Sequence, residues 1–125
     1  MHVIQDTVLL VDDNPVQVAT RQLVLSQAGI PVQVATSASS ALALLRTPAL
    51  GTQIKTVVTD HIMPEASGAD FVRMLRQVNP DVPVIVITGM AEAEDEYTGM
   101  NVTFRQKPCP PTELIALVKK ALETA

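Results

Sequence analysis

The chain has 125 residues, with 9 Lys+Arg against 13 Asp+Glu for a formal charge of −4, and is 47% apolar against 18% charged. That length suits one domain, read here as residues 1–125, and the apolar share excludes a disordered chain. Two Phe, one Tyr and no Trp offer little for a base to stack on, and Lys119-Lys120 is the only basic pair, so no nucleic-acid binding by this chain is expected. Cys109, the single cysteine, lies between Pro108 and Pro110; it permits no internal disulfide and fits a reducing compartment. Met1 to Asp13 carries no basic leader and no apolar run is long enough to span a bilayer, so a cytoplasmic protein without a membrane partner is expected.

Short β-branched runs alternate with helical stretches along the chain. Val8–Val11 is the first predicted strand. Asn14 supplies an N-cap, Pro15 a first helical residue and Gly29 a C-terminal stop, which predicts a helix over Pro15–Ala28. Val16, Ala19 and Leu23 widen its apolar stripe beside Thr20, Val24, Leu25 and Ala28. A wide buried face is the expectation, an interaction patch the alternative. Val32–Ala35 is the second strand, and Ser37 or Ser39 opens an Ala-rich helix that ends near Arg46. A loop, Thr47 to Lys55, leads to the third strand, Thr56–Thr59. Ser67-Gly68 opens the next helix, with Phe71, Val72 and Leu75 at core spacing. The near-continuous apolar run Val84–Thr88 reads as a strand covered on both faces. Only Ala91–Thr98 remains for a fourth helix, and Glu92, Glu94, Asp95 and Glu96 leave it no apolar face, so a turn or two with solvated carboxylates is expected. Val102–Phe104 is the last strand. Thr112–Leu122 is the last helix, striped by Leu114, Ile115, Val118, Ala121 and Leu122.

Five such units with right-handed crossovers make a doubly wound parallel α/β sheet, whose chemistry collects at the carboxyl ends of the strands. Asp12 and Asp13 follow the first strand, Asp60 the third, Thr88 ends the fourth, and Lys107 follows the fifth. Carboxylates gathered in one pocket repel one another unless a cation is present. Mg²⁺ suits such a pocket, being a hard ion that takes oxygen ligands and keeps some of its waters. Zinc is a poor alternative with only His61 and Cys109 in the neighbourhood. His61 itself reads as a partly exposed loop residue rather than a ligand or proton shuttle. A carboxylate beside a metal, a hydroxyl and a fixed lysine is equipped to accept a phosphoryl group, whose oxygens need donors and positive charge around them.

The motifs Leu9-Leu10-Val11-Asp12-Asp13-Asn14-Pro15, Asp60-His61-Ile62-Met63-Pro64 with Gly68, Val84-Ile85-Val86-Ile87-Thr88-Gly89 and Phe104-Arg105-Gln106-Lys107-Pro108 occur in this order at strand ends. Together they resemble the receiver domain of two-component response regulators, and the resemblance covers nearly the whole chain. It implies a flavodoxin-like sheet of strand order 2-1-3-4-5. Asp60 would be the phosphoacceptor, served by a sensor histidine kinase or phosphotransfer protein. Mg²⁺ would be held by Asp13, Asp60 and the Ile62 carbonyl, with Asp12 acting through water. Thr88 and Lys107 would contact the phosphoryl oxygens, Thr88 and Phe104 would form the switch, and the Lys107-Pro108 bond would be cis. The output would be an altered surface for a downstream protein target, and the domain would catalyse its own modification without being a turnover enzyme.

This sequence departs from that pattern in three places. The stretch from Thr88 to Lys107 is shorter than usual, which trims the fourth helix on the usual output face. The Thr47–Lys55 loop is longer than usual. Ile62 and Met90, beside the acceptor, are both apolar and cannot orient a water, so slow loss of the phosphoryl group is expected. Two other classes stay in view. A small Asp-nucleophile phosphohydrolase usually pairs its carboxylates as Asp-x-Asp on the first strand, whereas Asp12-Asp13 are adjacent here. An FMN binder needs a phosphate-cradling loop where these two carboxylates would repel the phosphate.

Overall fold

Three apolar runs form the middle of the sheet. In the computed structural model, which describes residues 6–124, the strands are β1 (Thr7–Val11), β2 (Val32–Ala35), β3 (Ile54–Thr59), β4 (Val84–Thr88) and β5 (Val102–Gln106). All neighbours pair in parallel, in the order β2-β1-β3-β4-β5, as expected for a doubly wound sheet. Every residue of β1 and β4 is buried, while the edge strands β2 and β5 are only partly covered. That difference explains why the edge runs are the less apolar ones. The leader reading rests partly on Met1–Gln5, and the domain span ends at Ala125; both lie outside the described residues.

Successive strand residues face opposite sides of the sheet, so each strand feeds two cores. Leu9, Val11, Val57, Val84 and Val86 face α2 (Ala38–Arg46) and α4 (Gly68–Val78), where Phe71 and Leu75 are fully buried. Val8, Leu10, Val58, Ile85 and Ile87 face α1 (Pro15–Gln27) and α5 (Pro111–Thr124) through Leu25, Leu114 and Val118. Full burial of one such Leu or Phe contributes about 1.5–3 kcal/mol. The helices start where the caps dictate: Asn14 accepts from the N–H groups of Val16 and Gln17, each at 3.0 Å. Ser37 and Ser40 form a reciprocal capping box on α2. At the other end of α4, the Arg76 guanidinium donates to the carbonyls of Val82 (2.7 Å), Asn101 (2.9 Å) and Met100 (3.0 Å), stapling the helix to the approaches of β4 and β5.

The segment between α2 and β3, expected to be a loop, contains a further short helix, α3 (Pro48–Gln53), with Pro48 in its first turn and no buried residue. β3 accordingly starts at Ile54, and β5 runs on to Gln106. Ala91–Tyr97 forms a 3₁₀ helix that buries only Ala93 and Tyr97 and leaves its four carboxylates exposed, as its sequence requires. The apolar stripe of α1 is not wholly buried, with Val16 74% and Leu23 57% exposed, so the expected wide buried face does not form there. Among the described residues no helix is long and apolar enough to cross a membrane.

Candidate functional site

Register alone brings the key groups together. Val11 of β1 lies opposite Thr59 of β3, so Asp12 and Asp60 leave the sheet side by side. Here the chain's outward progress reverses, with β2 on one side of β1 and β3 on the other, which opens a crevice at the strand ends. Further across, Thr88 pairs with Gln106 and its carbonyl accepts from the Lys107 N–H at 2.8 Å. The Lys107-Pro108 peptide is cis, and Lys107 Nζ lies 2.7 Å from Asp60 Oδ2.

Asp60 is buried, with both carboxylate oxygens engaged. Oδ1 accepts from the His61 N–H at 2.6 Å and the Ile62 N–H at 3.4 Å, and Oδ2 from Lys107 and from Gln17 Nε2 at 3.3 Å. Burial pushes its carboxyl up, but the Lys107 ammonium and the two N–H groups outweigh burial and hold it below the ordinary carboxylate value. Asp60 is therefore ionised at neutral pH. Asp12, 2% exposed, accepts from the Asn14 N–H at 2.9 Å, from Arg21 Nη1 at 3.4 Å and closely from Gln17 Nε2.

Asp13 stays exposed, and the expected gathering of Asp12, Asp13 and Asp60 is not seen. Among the described residues no three acidic, His or Cys groups stand together in a way that could hold a metal. The physical reason is local: Arg21 and Gln17 draw Asp12 inward, Lys107 draws Asp60, and Asp13 has solvent. The carboxylates are thus compensated by the chain's own donors. Gln17 and Arg21 were not singled out in the sequence, although they lie four apart on α1, one helical turn that puts both on the Asp12 side.

His61 is only 6% exposed, which corrects its reading as a partly exposed loop residue. Gly68 explains the burial. A Cβ there would fall 2.4 Å from Tyr97 Oη, 2.5 Å from the Asp60 carbonyl oxygen and 2.8 Å from His61 Cα, so only glycine lets α4 and the 3₁₀ helix close on the end of β3. Tyr97 Oη then meets His61 Nδ1 at 2.7 Å, and His61 Nε2 lies 3.3 Å from the Glu96 carboxylate. The Tyr97 ring stands edge-on to His61 at 5.6 Å and tilts against the half-buried Phe104 at 5.8 Å. Burial, and then the charges of Glu96, Asp60 and Asp70, push the Tyr97 phenol far above its ordinary value, so it keeps its proton. Thr88 is buried at the end of β4, its Oγ1 accepting from the Met90 N–H at 3.3 Å.

Comparison with known proteins fits this geometry. A family model described as the response regulator receiver domain matches residues 8–119. The chain belongs to the response-regulator receiver family. This receiver is similar to an uncharacterized 14.6 kDa protein in the sodA1 3'region of Leptolyngbya boryana, at 32% identity over 93% of this chain and 89% of that protein. It is also similar to the sensor kinase CckA of Brucella abortus, at 33% identity over 94% of this chain but 12% of that protein. Among solved structures, a receiver domain protein from Methanospirillum hungatei JF-1 shares the fold with a TM-score of 0.87 at 21% identity, covering 96% of this chain and 95% of that one. The chain spans 38%, 24% and 12% of the length of three of the curated relatives it matches, CckA among them. Receiver domains are not turnover enzymes, so the phosphohydrolase and FMN-binding readings fall away with the family.

Proposed function

We propose that Asp60 accepts a phosphoryl group from the phosphohistidine of a sensor histidine kinase or phosphotransfer protein, in a cytoplasmic, Mg²⁺-dependent phosphorelay. The observation that carries this reading is the buried, ionised Asp60 with the Lys107 ammonium 2.7 Å from its Oδ2 at a strand end. An Asp60 oxygen attacks phosphorus in line, the P–N bond breaks, and the imidazole leaves with a proton. Lys107 follows the transferred oxygens as they gain charge. Thr88 uses an oxygen lone pair on Met90, which leaves its hydroxyl proton for a phosphoryl oxygen.

Two carboxylates on neighbouring strands, Asp12 and Asp60, spanned by a single amide, fit a hard cation that seeks oxygen. Asp13 and the Ile62 carbonyl complete the set that would hold Mg²⁺. When bound, the ion supplies positive charge to the phosphoryl oxygens. Beside Lys107 a groove of about 800 Å³ runs between α1 and the start of α5, lined by Val16, Val24, Pro108, Cys109 and Leu114, and it suits a phosphodonor protein. The switch runs through Thr88 and Phe104, and the His61–Tyr97 contact ties it to the 3₁₀ helix that a downstream target reads.

Treatment with a small phosphodonor and Mg²⁺, followed by intact-mass measurement and peptide mapping, tests the reading. One acid-labile phosphoryl group on Asp60 is expected, with none in Asp60→Asn. Labelling of Asp12 or Asp13 in that variant at the wild-type rate would overturn it.

A further inference from the structure

The first turn of α1 carries a side chain that reaches both site carboxylates. Gln17 is half-buried, and the Asn14 cap fixes its backbone through the 3.0 Å bond to its N–H. Its amide Nε2 donates closely to Asp12 Oδ2 and at 3.3 Å to Asp60 Oδ2. An amide nitrogen carries two protons, so its whole donor capacity is spent on carboxylates from two different strands. The same two oxygens hold the site's cationic partners, Arg21 on Asp12 and Lys107 on Asp60. Of these three donors Gln17 is the only uncharged one, and its hold on Asp60 is the longest contact that carboxylate's Oδ2 makes.

We infer that Gln17 competes with the divalent cation for the shared lone pairs of Asp12 and Asp60. This rests on the reading that those carboxylates hold Mg²⁺. Amide protons and a metal ion cannot use one lone pair together, so the cation binds only after the amide swings aside. Arg21 and Lys107 are poorer candidates for displacement, because each would leave a full charge behind. A neutral amide leaves with only its hydrogen bonds lost. Glutamate at the same position would instead add a further carboxylate and favour the ion. Gln17 thereby links the readiness of Asp60 to cation concentration: at low Mg²⁺ the acceptor oxygen stays tied.

Gln17→Met keeps the side chain's length and removes the donor. Isothermal titration of the full chain with MgCl₂ should show the variant binding about tenfold more tightly than wild type, the equivalent of about 1.4 kcal/mol for the lost competing contacts. In chelator, its thermal midpoint should fall, since Asp12 and Asp60 lose their bridge. Should the Met variant not fold, Gln17→Asn makes the same comparison, because its shorter amide cannot span both carboxylates. A lower midpoint with unchanged or weaker Mg²⁺ binding would make Gln17 a structural brace and overturn the inference. If neither wild type nor variant binds Mg²⁺, the cation reading itself fails and takes this inference with it. Tight binding by the variant alone would support both.

Discussion

Lys107→Met removes the ammonium and keeps most of the stem, which isolates its 2.7 Å contact with Asp60. At an effective dielectric near 20, two charges so close attract by about 6 kcal/mol. Most of that is offset by the cost of burying Asp60, whose side chain is 9% exposed, and by solvent around Lys107, at 31%. After the substitution Asp60 still accepts from the His61 and Ile62 N–H groups, so its charge is weakened in support but not stranded. A loss of about 2 kcal/mol at neutral pH is expected, or roughly 6–8 °C in the thermal midpoint of a domain this size. Acid separates this from simple packing. Burial alone would raise the Asp60 carboxyl, and Lys107 is the largest reason it lies below the ordinary value. A depressed carboxyl stabilises the fold above its unfolded pKa, about 3.9, and that stability is lost as pH falls through the folded value. The gap between wild type and Lys107→Met should therefore be full at neutral pH and shrink as pH falls below the ordinary carboxylate value and through the depressed Asp60 value. Thermal unfolding followed by circular dichroism across that range, in chelator, measures it. An equal gap at both ends would refute the electrostatic account and assign the loss to the methylenes.

Gly68→Ala should cost about 2–3 kcal/mol in urea unfolding, because two of the three atoms its Cβ meets are backbone and cannot turn away; tolerance within about 0.5 kcal/mol would mean that α4 slides freely. Arg76→Met removes the donor from the part-buried carbonyls of Val82 and Met100, and a loss of about 1–3 kcal/mol is expected from the same measurement. Tyr97→Phe keeps the ring against Phe104 but leaves His61 Nδ1 without its buried partner, so amides of residues 91–97 should exchange faster and stability drop by about 1–2 kcal/mol; unchanged exchange would argue that Phe104 alone seats the 3₁₀ helix.

Much of the fold was legible because its signals are local. Caps at Asn14, Ser37 and Ser67 and the apolar runs of β1, β3 and β4 each state their own structure. Helix α3 left no such trace: six residues that bury nothing have no periodicity to read. The strand-end groups Asp12, Asp60 and Lys107 were placed correctly, since a parallel sheet delivers strand ends to one side. What the site lacked on paper were the groups that answer them. The reach of Gln17 to two carboxylates depends on its rotamer, and the burial of His61 depends on how closely Gly68 lets a distant tyrosine approach. The exposure of Asp13 was illegible for a related reason, because adjacency in sequence says nothing about which of two neighbours finds donors.

The span of the Asp60–Lys107 contact has a consequence during synthesis. The two residues lie 47 positions apart, with all of β4 and β5 made between them. At about 5–20 residues per second, a ribosome has Asp60 in the nascent chain for several seconds before its lysine exists. In that interval β1, β2 and β3 can associate, yet the Asp60 carboxylate has no ammonium beside it. The charge balance of the strand-end crevice is therefore completed late and all at once, when β5 docks beside β4. A polypeptide ending before Lys107 would leave Asp60 with only the His61 and Ile62 N–H groups and the Gln17 amide as donors.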